Sequence, residues 1–258
     1  MQRYADRVAL VTGASCGIGA AITQELLRQG LTVVGLARRV DRVKALELPN
    51  APGKLHAIQG DVSDEESILA AFKWIKDNLS GVDVLVNNAG IIEESELTSA
   101  PTDSWRRVLD VNVLGLSICT REAVQDMLAR GVDDGFIIHI SSLAAHTPPY
   151  NSDLAMYYAS KHAVNTLLEG LRKDLVARGS KIRVGAISPG LVKTEIFSHS
   201  KKITSDIFNV APCLEAEDVA NAVVYMLSQH PRVQVNDRNR VFVASITVLM
   251  SISSTNCL

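Results

Sequence analysis

With 258 residues, 47% of them hydrophobic, the chain is long enough to bury one substantial core, and one domain is expected rather than two. Its 26 Lys and Arg stand against 28 Asp and Glu with no long run of one sign, which excludes the electrostatic footprint of a nucleic-acid binder and suits a protein acting on a small molecule. Cys16, Cys119, Cys213 and Cys257 lack CxxC pairing and metal-ligand spacing, so free thiols are expected rather than a disulfide framework or a metal site.

The opening MQRYADRVALVTG runs almost directly into an apolar strand, RVALVT (7–12), and carries no secretory-type apolar segment, so a cytoplasmic protein is expected. AAITQELLRQG (20–30) has helical spacing through Ile22, Leu26 and Leu27, with Gly30 as its stop. LTVVGLA (31–37) is predicted as the second strand, PNAPGK (49–54) as a loop, LHAIQG (55–60) as the third strand, ILAAFKWIKDNL (68–79) as a helix and VDVLVNNAG (82–90) as the fourth strand. One long helix is predicted over 105–129, a strand over 135–142 (GFIIHISS), a helix over about 154–178 and a strand over 181–190 closed by Pro-Gly. VFVASITVLM (241–250) is far shorter than the roughly 20 residues that span a bilayer and is predicted as a last buried strand. Strands with continuous apolar runs, alternating with helices, predict an α/β fold: a Rossmann-type doubly wound parallel sheet with helices on both faces.

TGASCGIG (12–19) places Gly13, Gly17 and Gly19 between a strand and a helix, where a tight turn and helix-end N–H groups suit a pyrophosphate. Its spacing departs from GxGxxG, so the strand-turn-helix context carries the assignment. The second strand ends in LARR without a carboxylate for a ribose hydroxyl and offers Arg38 and Arg39; an arginine there suits the extra 2'-phosphate of NADP, and the NADP preference is expected to rest on Arg38, which follows the strand, although plain solvation explains both residues.

In MYYASKH (156–162), Tyr157 lies four residues before Lys161 and Tyr158 three, so both share a helical face with it and the geometry prefers Tyr157 only mildly. Hydride transfer at an alcohol carbon needs a partner for the hydroxyl proton, and a tyrosine beside a cation can serve. Ser142, at the carboxyl end of its strand, is placed to hold a substrate oxygen, whereas strand alternation turns Ser141 to the opposite face.

Taken together, TGASCGIG, NNAG (87–90), Asn112 in DVNVLG, Ser142 in HISS, YYASK (157–161) and SPG (188–190) resemble the short-chain dehydrogenase/reductase family, in order and placement from residue 12 to about 190. The resemblance implies NADP(H)-dependent oxidoreductase chemistry and selects Tyr157 as the proton-exchanging group. It implies that Ser142 positions the substrate oxygen, Lys161 binds nicotinamide ribose and supports the tyrosinate, and Asn112 helps hold a proton-relay water. Gly13, Ser15, Gly17, Ile18 and Gly19 then map to the cofactor turn, and Asp61 and Val62 to the adenine side. Asn88, Ala89 and Gly90 map to the crevice, and Pro189, Gly190, Val192 and Thr194 to the nicotinamide side. A homodimer or homotetramer is implied as well, built on the long helices that carry Asn112 and Lys161.

More narrowly, VTGASCGIGAAI, VVGLARR, NVLGLSICTREA and VDDG resemble the small animal subgroup that includes insect NADP-dependent farnesol dehydrogenases. The ending RNRVFVASITVLMSISSTNCL departs from that subgroup, which makes 241–258 an atypical C-terminus. Residues 191–217 are expected to cover the substrate: Leu191, Val192, Ile196, Phe197, Ile203, Ile207, Phe208 and Val210 offer apolar surface, although core packing explains them equally. LAAHTPPYNSDLAM (143–156) flanks the other side, and no basic pair is evidently fixed for a carboxylate unless Lys201 and Lys202 turn inward. A neutral isoprenoid alcohol is therefore expected, with a hydroxysteroid as the alternative substrate and a noncatalytic NADP-binding protein as the remaining one.

Overall fold

The computed structural model describes residues 1–198 and 207–233. Six parallel strands form one sheet: β1 (Val8–Thr12), β2 (Thr32–Ala37), β3 (Lys54–Gln59), β4 (Val84–Asn87), β5 (Phe136–Ile140) and β6 (Arg183–Ile187), in the order β3-β2-β1-β4-β5-β6. They are connected through α1 (Gly17–Arg28), α2 (Val40–Lys44), α3 (Glu65–Leu79), α4 (Thr102–Leu109), α5 (Leu116–Ala129) and α6 (Ala155–Ala177), and α7 (Ile207–Val210) and α8 (Ala216–Ser228) follow.

Strand alternation sorts each strand between two cores. Ala9 and Val11 of β1 face α1 and α8, packing with Ile22, Leu26, Val219 and Val223. Val8 and Leu10 face the other way, with Ile68 and Ile75 of α3, Met127 of α5 and Leu168 of α6. Burial on both faces is why these strands read as unbroken apolar runs, and the expected doubly wound sheet is present.

β2 lies on one side of β1 and β4 on the other, so the chain reverses its winding at β1. The loops leaving β1 and β4 part there and open a crevice at the carboxyl ends of the strands.

Several boundaries differ from the sequence expectation. The helix predicted over 105–129 is α4 and α5 joined by one π-helical turn, Asp110–Gly115. Gly115 ends that turn against the Val62 carbonyl, where an added Cβ would sit 2.2 Å from the oxygen, so only glycine permits the approach. α3 starts at Glu65, earlier than its apolar pattern, because Asp64 caps it by accepting from the Glu66 N–H at 3.1 Å. α2 and α8 were not anticipated; α8 buries Val219, Val223, Met226 and Leu227 against the sheet and α1. The strand expected at 241–250 and the altered ending to 258 lie outside the described residues.

Candidate active site

The turn after β1 is locked to the loop after β4. Thr12 Oγ1 accepts from the N–H groups of Asn88 and Ala89, both at 3.0 Å, while Asn88 Nδ2 donates to the carbonyls of Thr12 at 2.9 Å and Gly13 at 3.3 Å. Gly13 has φ +67°, and a Cβ there would lie 2.9 Å from Ala89 Cα; one on Gly19 would lie 2.3 Å from the Gly13 oxygen. Ile18 anchors the start of α1 in the first core. Cys16, the N-cap of α1, makes no side-chain cap, so the first N–H groups of a twelve-residue helix face the crevice with anion-binding capacity. This fits a pyrophosphate at the Gly-rich turn.

The two arginines after β2 are set apart. Arg39 Nη2 lies 3.5 Å from Ser15 Oγ and 2.9 Å from Cys16 Sγ, directly against the turn. Arg38 is largely exposed and lies 3.9 Å from Asp61 Oδ2. Asp61 also caps its own loop through Ser63, and Val62 packs its side chain into the second core. Arg42 was not anticipated; its guanidinium and that of Arg39 both donate to Glu195.

At the reaction centre, α6 buries Tyr157 and Lys161 together, with Lys161 Nζ 5.8 Å from the Tyr157 ring centroid. Lys161 Nζ donates to the Ile140 carbonyl at the end of β5, at 3.1 Å. Burial pushes its pKa down to about 8. Burial pushes the Tyr157 hydroxyl up to about 12, opposed by a hydrogen bond with Ser142 and reinforced by Tyr158. Ser142 follows β5, and its Oγ also accepts from the Ala144 N–H at 3.1 Å. Ser141 points away and donates to Asn165 Oδ1 at 2.8 Å, as alternation requires. Tyr158 meets Tyr157 edge to face, with centroids 6.2 Å apart.

The π turn brings Asn112 inward and uses both ends of its amide. Oδ1 accepts from the Ile91 N–H at 2.9 Å, and Nδ2 donates to the Ile91 carbonyl and to Ser160 Oγ, both at 3.0 Å. Ser160 in turn donates to the Tyr157 carbonyl at 2.6 Å. Asn112 thereby joins the loop after β4 to the turn of α6 that carries Tyr157. A Cβ on Gly90 would lie 3.5 Å from Asn112 Oδ1 and 3.6 Å from Lys161 Nζ, so the loop after β4 reaches the lysine.

Behind the lysine, His139 is wholly buried on β5. Its pKa falls to about 4 through desolvation and the Lys161 charge, so the ring is neutral at pH 7. Asn87 Nδ2 lies 3.2 Å from His139 Nδ1 and 2.9 Å from Thr120 Oγ1. Thr12, Ser160, His139 and Thr120 went unselected from sequence because isolated hydroxyls and one histidine carry no pattern of their own.

On the far side, the Pro189 carbonyl accepts from the Leu143 N–H at 2.9 Å, tying SPG to the loop that follows Ser142. After Gly190, Val192 bridges to Leu214; Lys193 N–H donates to the Leu214 carbonyl at 2.9 Å and Leu214 N–H to that of Leu191 at 2.8 Å. The two ends of the expected substrate-covering segment are thus stapled together. Thr194 Cγ2 packs beside Gly17, 3.0 Å from where its Cβ would be. Phe197 and Phe208 face each other with centroids 6.3 Å apart. Ile203, Lys201 and Lys202 lie outside the described residues. A cavity of about 500 Å³ sits elsewhere, between Arg3, Arg172 and Arg183 at the β6 edge, and no residue of this site lines it.

A parallel sheet wound in this order, with an uncapped helix start behind a Gly-rich turn and a serine, tyrosine and lysine gathered at its carboxyl edge, defines a dinucleotide-dependent oxidoreductase. The chain belongs to the short chain dehydrogenase family, whose sequence profile matches residues 7–204. It is 48% identical over 241 residues to a farnesol dehydrogenase of Aedes aegypti, covering 92% of this chain and 96% of that protein. It is 46% identical over 245 residues to dehydrogenase/reductase SDR family member 11 of Gallus gallus, with the same coverage. Among solved structures, the closed form of a serine dehydrogenase complexed with NADP+ is similar with a TM-score of 0.78 and 28% identity, over 92% of this chain and 97% of that one.

Proposed function

We propose that this dehydrogenase uses NADP(H) to interconvert a lipophilic alcohol and its carbonyl product, with farnesol and farnesal as the substrate pair. The carrying observation is the cluster of buried Tyr157 and Lys161 with half-buried Ser142, opposite Gly90. Bound NADP(H) would supply the hydride acceptor for the alcohol carbon in oxidation and the hydride donor for the carbonyl carbon in reduction. Tyr157 accepts the hydroxyl proton in oxidation and donates one to the carbonyl oxygen in reduction. Ser142 holds that oxygen by a hydrogen bond, and Lys161 favours the phenolate while binding the nicotinamide ribose. Asn112, with both amide ends engaged, keeps the loop after β4 and the tyrosine turn in register for a relay water.

NADP is favoured over NAD by Arg39, which lies against Ser15, with no carboxylate at the end of β2. Arg39→Ala is expected to weaken NADPH binding about tenfold or more while NADH binding changes little, and Arg38→Ala to do less, because Arg38 leans toward Asp61. Fluorescence titration with both cofactors checks this, and a larger effect of Arg38 reverses the assignment.

The farnesol reading is supported by likeness to the Aedes aegypti protein and by the Phe197 and Phe208 pair after the nicotinamide-side segment, where Lys193 is already paired with Glu215 at 2.5 Å. Residues 191–217 accordingly act as the substrate-covering part of one catalytic domain. Measurement of kcat/KM for farnesol, shorter prenols, a secondary aliphatic alcohol and several hydroxysteroids is expected to rank farnesol first. Efficient steroid turnover with negligible farnesol oxidation overturns the substrate, and NADPH binding without any turnover overturns the catalytic reading.

Among the described residues, no helix is long and apolar enough to cross a membrane. Leu109 of α4, Leu114 of the π turn and Leu167 of α6 are exposed, and they support self-association through these helices as a homodimer or homotetramer. Light scattering at micromolar concentration is expected to give a multiple of the 27.9 kDa chain mass.

A further inference from the structure

Glu195 opens a short 3-10 turn, Glu195–Phe197, directly after the residue that packs on Gly17. From there its carboxylate reaches back over the Gly-rich turn. One oxygen accepts from Arg39 Nη1 at 3.1 Å, and both lie 2.9 Å from Arg42 Nη1. The opposite nitrogen of Arg39 faces Ser15 and Cys16. A single anion therefore ties the substrate-side segment to two arginines at the adenosine side of the crevice.

We propose that Glu195 is an internal competitor of the cofactor's 2'-phosphate: it holds the Arg39 and Arg42 guanidinium groups in the cofactor-free protein, and NADP(H) displaces it whereas NAD(H) does not. The inference rests on the assignment of Arg39 to the 2'-phosphate. A phosphate monoester brings about 1.5 to 2 negative charges and three acceptor oxygens, against one charge and two oxygens on the carboxylate. The 2'-hydroxyl of NAD(H) brings no charge, so the carboxylate keeps its partners. Glu195, Arg39 and Arg42 are each about half exposed, with side-chain values of 48% to 50%, so the tie is weak enough to exchange reversibly. The base of the segment stays fixed by the bridge from Val192 to Leu214, which confines the rearrangement to the turn at Glu195. The presence of the 2'-phosphate is thereby signalled to the substrate side of the crevice.

The test is titration of wild type and Glu195→Gln with NADPH and NADH, read by cofactor fluorescence, with hydrogen exchange at the amides of Ile196 and Ser198. Glu195→Gln is expected to tighten NADPH binding about three- to tenfold and to alter NADH binding less than about twofold. In wild type, exchange at the two amides is expected to quicken with NADPH and to stay unchanged with NADH. Unchanged or weakened NADPH binding in Glu195→Gln, equal tightening for both cofactors, or the same exchange response to both overturns the proposal. Equal affinity of wild type for NADPH and NADH would instead remove the phosphate assignment on which the proposal stands, whereas a clear NADPH preference with an unchanged variant removes the competitor alone.

Discussion

Tyr157→Phe is expected to lower kcat about 10²- to 10⁴-fold while NADPH still binds, and Tyr158→Phe to keep most of its turnover. The ring of Tyr157 is 8% exposed and packed, so phenylalanine fills the same volume and only the hydroxyl, with its hydrogen bond to Ser142, is lost. Tyr158 meets the serine and lysine cluster through the edge of the Tyr157 ring, so its hydroxyl has no comparable task. Single-turnover rates together with NADPH titration separate chemistry from binding, and a reversed ranking of the two variants would reject the role given to Tyr157.

The choice between these tyrosines marks the limit of spacing as a signal. Both share a helical face with Lys161, and it took the family resemblance to prefer Tyr157; the environment supplies a physical reason in the burial and the Ser142 contact. The six described strands were legible because burial on both faces forces unbroken apolar runs, and TGASCGIG because its position after such a run is itself the signal. The π turn was not legible. Its cause is the distant backbone of Val62 pressing on Gly115 and the loop residue Ile91 drawing on Asn112, neither of which alters helical periodicity. The same holds for Arg38 and Arg39: position directly after the strand favoured Arg38 for the phosphate, whereas the path of the chain after β2 turns Arg39 toward Ser15 and Arg38 toward Asp61. Helix α8 is different: Val219, Val223, Met226 and Leu227 stand at helical spacing and are all buried, so its apolar stripe was legible in the sequence although no helix was predicted there.

Lys161→Met is expected to remove about 10²-fold or more of turnover and yet to raise the thermal stability of the cofactor-free protein at pH 7. The lysine is buried with a single hydrogen bond, to the Ile140 carbonyl, and burial carries its pKa from 10.5 in the unfolded chain down to about 8. Between those two values the unfolded chain holds a proton that the folded one lacks, so stability rises with pH through that window. Below about pH 8 both states are charged and the whole penalty is present, about 3 kcal/mol at most. Methionine removes the charge and fills much of the space, while the Ile140 carbonyl loses its donor, which returns part of the gain. A net gain of about 1 kcal/mol corresponds to a rise in Tm of about 2 to 4 °C for a chain of this size. The pH dependence distinguishes the cause: the advantage of the variant should be full at pH 7 and shrink toward pH 10, as the wild-type lysine sheds its proton in the folded state. A variant less stable than wild type at every pH would make Lys161 a packing element of α6, whereas the expected crossing of lost turnover with gained stability identifies a charge kept at the site for its chemistry.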